Sequence, residues 1–223
     1  MNIYPQHDWN LPPHQAISLQ RQLAQQVVDD RPLLLDDVRL VAGVDVSVKG
    51  NQSHGAVVVL TFPDLTLVET CCHQMITPFP YIPGLLSFRE LPVLLAALQQ
   101  LRHEPDVLLV DGMGRIHPRR FGIACHLGLW LQKPTIGCGK TPFVGTFAEP
   151  APDRGSMSEL VQAGETIGAV LRTRSQVKPV FISVGHLADL PTAIELTLRC
   201  TTRYRLPEPI RLAHQAAGKF SPC

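Results

Sequence analysis

An α/β fold built on a mixed sheet is predicted by three observations. Residues 39–70 carry three valine- and threonine-rich runs separated by short turn signals, and residues 105–111 form a continuous apolar run that ends in Asp-Gly. Helical periodicity occupies the stretches around them. The chain has 223 residues, 45% hydrophobic and 17% charged, with no low-complexity tract or internal repeat. That balance suits one domain spanning residues 1–223 with a sizeable core and argues against disorder.

In chain order, residues 14–28 place Ile17, Leu19, Leu23, Ala24, Val27 and Val28 at helical spacing, an apolar face suited to packing on a sheet. Residues 39–48, RLVAGVDVSV, alternate, with Val44, Val46 and Val48 on one side and Gly43, Asp45 and Ser47 on the other. Asp45 therefore belongs mid-strand. Residues 55–62 and 65–70 are strand-like runs joined by Pro63 and Asp64, the signature of an antiparallel hairpin. Three strands in succession make a meander.

Residues 78–90, PFPYIPGLLSFRE, hold Tyr81 in a segment stiffened by Pro78, Pro80 and Pro83. Glu90 ends this segment two residues before Pro92, near an expected break, and residues 92–101 are expected to form a helix that opens on the proline. The run PDVLLVDGMG reads as a buried strand of a parallel sheet with Asp111 at its C-terminal end, where ligands collect in such sheets. An apolar helix is expected over residues 121–131, with Pro118 in its first turn beside His117, Arg119 and Arg120. Residues 133–139 give a further parallel strand ending near Lys140, residues 166–173 and 179–184 two more strands, and residues 190–201 a last helix. A meander followed by helix, parallel strand, helix and parallel strand is the order of a ribonuclease-H-like mixed sheet.

The N-terminal residues lack a basic region leading into an apolar run, and the longest apolar stretches fall well short of the roughly 20 residues that span a bilayer. The expectation is a soluble, cytoplasmic monomer with no membrane partner. Its six cysteines (Cys71, Cys72, Cys125, Cys138, Cys200, Cys223) contain no CxxC pair and suit reduced thiols. The net charge of +1 advertises no polyanion partner, yet residues 1–111 hold 6 Lys/Arg against 12 Asp/Glu and the remainder 14 against 7. Two readings are open: halves that neutralise each other within one fold, or a basic face built by the second half.

Asp45 and Asp111 are the carboxylates that interrupt otherwise apolar strands. Ionised carboxylates near a core are costly unless they are paired or bind a cation, and a hard divalent ion is commonly held by one or two of them together with waters and substrate phosphate. Taken singly, each aspartate also suits a cap or an ion pair. Between Asp111 and Arg120, Gly112 and Gly114 permit close backbone approach, while His117, Arg119 and Arg120 offer hydrogen bonds or charge to phosphoryl oxygens. The alternative there is a flexible turn before a basic helix start. Lys140, just past a strand end, is either an electrostatic stabiliser or a surface lysine. HExxH, GxxxxGK[ST] and GxSxG patterns are absent, which leaves no support for a zinc protease, a P-loop or a hydrolase elbow.

VAGVDVS (residues 41–47), PYIPGLLSFRE (80–90), PDVLLVDGMGRIHPRRFGIACHLGL (105–129), PTIGCGK (134–140), Gly185 with His186, and RLPEP (205–209) closely resemble, in order and across most of the chain, the endonuclease V family. The resemblance implies a ribonuclease-H-like fold and a Mg²⁺-dependent repair endonuclease, with Mn²⁺ as a substitute ion. Its substrate would be damaged DNA carrying hypoxanthine (deoxyinosine), cut at the second phosphodiester bond 3′ to the lesion to leave a 3′-hydroxyl and a 5′-phosphate. Inosine-containing RNA as the substrate and a non-cutting lesion-binding module are the alternatives.

Carried onto matching positions, the resemblance implies Asp45 and Asp111 as metal ligands and Glu90 as the third acid. His117 and Lys140 match polar residues around the scissile phosphate, and His214, in RLAH, a position near the metal. Tyr81 falls in the PYIP wedge that separates strands at the lesion. Pro83, Gly84, Gly112, Arg119 and Arg120 complete the expected substrate contacts, with a base pocket built partly from backbone near Gly84 and Gly112. Met113 stands where His or Gln is common, and GCGK where GVAK is usual, with the lysine kept.

Overall fold

Alternation in the first strand sets the architecture. In the computed structural model, which describes residues 1–219, β1 (Leu40–Lys49) sends Val41 into one apolar cluster and Ala42 and Val44 into another, on opposite faces of the sheet. β1 pairs antiparallel with β2 (Gln52–Thr61), and β2 with β3 (Leu67–Ile76), which is the expected meander. On its other edge β1 pairs parallel with β4 (Val107–Val110), and β4 with β5 (Thr135–Gly139). Three further strands, β6 (Met157–Gln162), β7 (Glu165–Leu171) and β8 (Val180–His186), close an eight-stranded sheet of order β3-β2-β1-β4-β5-β8-β7-β6.

Helices cover both faces. α2 (Leu86–Leu98) and α3 (Ile123–Leu131) pack on the Ala42 and Val44 side, and α4 (Leu190–Arg199) and α5 (Glu208–Lys219) on the Val41 side. α1 (Pro13–Leu23) forms an outer layer: Ala16 packs with Phe79, Leu85 and Phe88, and Leu23 with Phe121, Cys125 and Leu129. None of the helices among the described residues is long and apolar enough to cross a membrane. Cys71, Cys72, Cys125, Cys138 and Cys200 are all buried; Cys223 lies outside the described residues.

Several elements depart from the sequence expectation for physical reasons. α2 does not open on Pro92 but six residues earlier, and it carries Pro92 in its interior, so Glu90 sits within a helix and not beside a break. An internal proline costs about 3 kcal/mol through the lost helical hydrogen bond. Phe88, Leu91, Leu94 and Leu98 are all essentially fully buried, and each contributes about 1.5–3 kcal/mol, which outweighs that cost. α1 stops at Leu23 and ends in a short 3-10 turn, so Val27 and Val28 lie beyond it. α3 begins at Ile123, and His117, Pro118, Arg119 and Arg120 form a turn before it. β6 and α5 went unpredicted, though both strands expected at residues 166–173 and 179–184 form and both are antiparallel to their neighbours.

α5 lies against β1 through a close backbone approach at Gly43. A Cβ there would sit 2.0 Å from both the carbonyl carbon and the carbonyl oxygen of Pro209, at the opening of α5. Only a glycine admits the helix at this depth. Replacing Gly43 with alanine is expected to cost about 3 kcal/mol or more by forcing α5 off the sheet, seen as a melting temperature lowered by about 10 °C. An unchanged melting temperature would show that α5 is not seated as described.

Candidate active site

The register of the parallel pair places two acids side by side. Val44 opposes Val110 at the end of the β1–β4 ladder, so the next residues, Asp45 and Asp111, are neighbours, and the Asp111 N–H donates to the Val44 carbonyl at 3.2 Å. Their side chains are only 12% and 11% exposed. Because residues alternate along β1, Asp45 shares the Gly43 face, the one that α5 covers. α5 brings His214, whose Nδ1 lies 2.7 Å from Asp45 Oδ2. Lys140, one residue past the end of β5, donates from Nζ to Asp111 Oδ2 at 2.5 Å.

Ligand atoms of Asp45, Asp111 and His214 all lie within 4.8 Å of one another. Glu90 stands outside this trio but feels it. Burial, then the charges of Asp45 and Asp111, push the Glu90 carboxyl up to about 8, and burial followed by Asp111 raises Asp45. Carboxylates held this close resist ionising together, and a cation between them removes the conflict. Oxygen donors that are few, clustered and partly desolvated suit a hard divalent ion that keeps several waters. The residues present therefore fit a metal of that class.

The proline-rich segment builds a second feature. Gly84 turns with φ +81°, in the region that favours glycine, and a side chain there would meet Arg119 Nη2 at 2.5 Å. The Gly84 carbonyl accepts three hydrogen bonds, from Gln20 Nε2 (3.0 Å), Arg119 Nη2 (2.7 Å) and His117 Nε2 (3.1 Å). His117 Nδ1 accepts from the Arg119 N–H at 3.2 Å, so the ring is neutral with its proton on Nε2. Burial, reinforced by the Arg119 charge, pushes this histidine down to about 4.

In front of this hub opens a cavity of about 300 Å³, the size of a small-ligand pocket. Tyr81, Pro83, Gly84, Gly112 and His117 line it, together with Ser87 and Phe143. The ring of Phe143 meets His117 edge-on at 5.5 Å. Tyr81 is 69% exposed at the rim.

Two of the expected phosphate groups are turned to other work. Arg119 spends its guanidinium on Gly84 and on Gln20 Oε1 (2.7 Å), behind the pocket. Arg120 reaches Glu165 Oε2 (2.8 Å) and Gln162 Oε1 (2.7 Å), which fastens its turn to the β6–β7 hairpin. Sequence reasoning missed Gln20, Ser87 and Phe143. Gln20 and Gly84 are 64 positions apart, a distance no local pattern bridges. Phe143, three residues past Lys140, was open to inspection as a neighbour of a singled-out residue. Ser87 Oγ meets Nδ1 of the fully buried His126 at 2.9 Å, and His126 Nε2 meets His7 Nε2 at 2.7 Å, so the N-terminal segment braces the pocket from behind.

The neutral state of His117 has a consequence for acid stability. A histidine depressed in the folded state supports folding above its usual 6.5, and that support is lost as pH falls from 6.5 through 4. A shift of this size corresponds to a loss of up to about 3 kcal/mol. Denaturant unfolding at several pH values is expected to show a shallower decline between pH 6.5 and 4 for His117→Gln than for wild type. Identical slopes would contradict the buried neutral ring.

Comparison with known proteins identifies the family. The family model described as Endonuclease V matches residues 21–215. The Endonuclease V of Methanothrix thermoacetophila is 51% identical, covering 93% of this chain and 92% of its own length. The crystal structure of the Endonuclease V of Streptomyces avermitilis superposes with a TM-score of 0.91 at 39% identity, covering 98% of this chain and 97% of that one. That of Ciona intestinalis, in complex with a 24mer DNA containing an inosine followed by a ribo-adenosine, gives a TM-score of 0.80 at 28% identity over 92% of this chain and 96% of that one. The fold is the ribonuclease-H-like mixed sheet that the element order predicts. With a matching family model over most of its length and a relative at half identity, the chain belongs to the Endonuclease V family and is an endonuclease.

Proposed function

We propose that this endonuclease recognises hypoxanthine in DNA, uses Mg²⁺ held by Asp45 and Asp111, and cuts the second phosphodiester bond 3′ to the lesion. One observation carries the reading: α2 joins the two features, its first turn lining the pocket at Ser87 and its second presenting Glu90 to the two aspartates. A pocket for a flipped base and an acidic cluster for phosphate chemistry thus share one rigid element. The DNA bound by the Ciona relative contains inosine, which supports the choice of base.

Each residue has a task that follows from its position. Tyr81, exposed and held by prolines, inserts beside the lesion and replaces lost stacking, as apolar wedges do. Extrusion is least costly for a weakly paired base, so a deaminated base enters more readily than a normal one. The Gly84 carbonyl is already saturated by internal donors. Contacts to the base edge therefore fall to donors such as the Ser87 N–H, in the first turn of α2, where a helix has no intrahelical acceptor to offer. When bound, a divalent cation supplies charge neutralisation at the reacting phosphate and a more acidic water. Asp45 and Asp111 hold that ion, His214 orients Asp45, and Glu90 orders the surrounding water. Lys140, on Asp111, presents its ammonium where negative charge builds on the phosphate.

The ribo-adenosine after the inosine in the Ciona complex favours a second reading, inosine-containing RNA; matched DNA and RNA strands discriminate the two. We take the enzyme to be a single-domain, cytoplasmic monomer, since the described strands join one sheet, one chain supplies the whole site, and the thiols of Cys125, Cys138 and Cys200, buried in the core, suit a reducing compartment.

Incubated with Mg²⁺ and an inosine-containing duplex, the wild-type protein is expected to nick at the second phosphodiester bond 3′ to inosine. Asp45→Ala and Asp111→Ala should each lower the rate on the order of 10³-fold, and Tyr81→Ala should raise KM roughly tenfold with an unchanged Mg²⁺ dependence. No nick, or equal nicking by the aspartate variants, counts decisively against the proposal.

A further inference from the structure

Tyr204 is an exposed aromatic that neither the core nor the pocket uses. It is 45% exposed and lies outside the pocket lining. Two guanidiniums approach its ring, Arg211 at 4.7 Å from the centroid and Arg203 at 5.7 Å. Arg211 is fixed in place by Glu208, with Nε and Nη2 both donating to Oε2 at 2.9 and 2.6 Å. The local charge is positive, with Arg203, Arg205 and Arg211 set against Glu208. Exposed cation–π contacts contribute only about 0.5–1 kcal/mol to folding, so stability gives little reason for an aromatic at this surface position.

The location relative to the acids points to a use. Arg211 precedes His214 by three residues on α5, and side chains at that spacing are neighbours on a helix surface. His214 in turn touches Asp45. On the other side, Arg205, the residue after Tyr204, donates to the Lys140 carbonyl at 2.9 Å and the Pro179 carbonyl at 2.6 Å, while the Lys140 ammonium sits on Asp111. The aromatic is therefore tied on both sides to residues that flank the acidic cluster, through Arg211 on the α5 side and through Arg205 on the Lys140 side.

We propose that Tyr204, with Arg203 and Arg211, is a stacking platform for a nucleotide next to the cleaved phosphate. The inference rests on the functional reading above. The Tyr204 ring takes the face of a base, Arg203 takes a backbone phosphate, and Arg211 holds the ring in position. A platform of this kind tolerates every base, because each presents a π-face, and it would hold the strand beside α5, on the sheet face opposite the one where α2 lines the lesion pocket. Tyr81 and Tyr204 would then grip the substrate at two points, with the cut between them.

The test uses the full chain with Mg²⁺ and inosine-containing strands, including strands with an abasic site one or two nucleotides to either side of the cut. Tyr204→Ala is expected to raise KM roughly tenfold with kcat within about twofold and an unchanged melting temperature, whereas Tyr204→Phe behaves as wild type. One abasic position should cost the wild type a similar factor and cost Tyr204→Ala nothing further. Arg203→Ala should lower the slope of log affinity against log salt by about one. An unchanged KM in Tyr204→Ala, or a fall in kcat alone, overturns the platform, the latter because it would mark Tyr204 as a prop for His214. If wild type leaves every inosine strand uncut, the functional reading fails and the platform with it; if wild type cuts and abasic losses add to that of Tyr204→Ala at every position, only the platform fails.

Discussion

The parallel pairing of β1 with β4 forces two carboxylates together, and the rest of the molecule is arranged around that conflict. At a separation within 4.8 Å and an effective dielectric near 20, two full charges repel by on the order of 3 kcal/mol. The fold offsets this with groups delivered from two directions, His214 from α5 and Lys140 from the end of β5, while Glu90 from α2 adds a third acid whose ionisation the pair opposes. Such an arrangement is expensive as a stability device and reasonable as a site for a divalent ion and a phosphate.

Delivery of those groups depends on backbone contacts remote from the chemistry. Gly43 lets α5 settle on β1, and its depth decides whether His214 reaches Asp45. The Gly84 carbonyl gathers α1, the segment before α3 and the opening of α2 into one hub, through Gln20, Arg119 and His117. The hub is polar but fully satisfied, which is the condition under which a buried network rigidifies rather than weakens a structure. Pocket and acids are therefore held in fixed relation by α2, whose register is set by its buried leucines.

Much of this was legible in the sequence. The alternation around Asp45 placed it mid-strand opposite the valines, and the abrupt end of VLLV at Asp111 placed the second acid at a strand end. The first reading rests on period-2 patterning and the second on a continuous apolar run, the mark of a strand buried on both faces. Glu90 was found, but its setting was misread, because Pro92 is a local signal and the apolar face of α2 is a tertiary one. α5 escaped notice although its two faces contrast as strongly as those of α4, because its buried face is short, consisting of Pro209, Ile210, Ala213 and Ala217, with the Pro209 backbone set against Gly43. β6 escaped because only Leu160 in it is buried. Arg119 and Arg120 show the limit of reading charge by position: both suit phosphate in the sequence, and both are engaged by partners far along the chain.

The central claim is that Asp45 and Asp111 form a divalent-cation site. The most direct measurement is a titration of the free protein with Mn²⁺, followed by electron paramagnetic resonance, in wild type, Asp45→Asn and Asp111→Asn. Wild type is expected to bind Mn²⁺ in a saturable manner that Mg²⁺ competes away, and each variant to lose that binding while keeping its fold by circular dichroism. Equal Mn²⁺ binding by wild type and both folded variants would contradict the account.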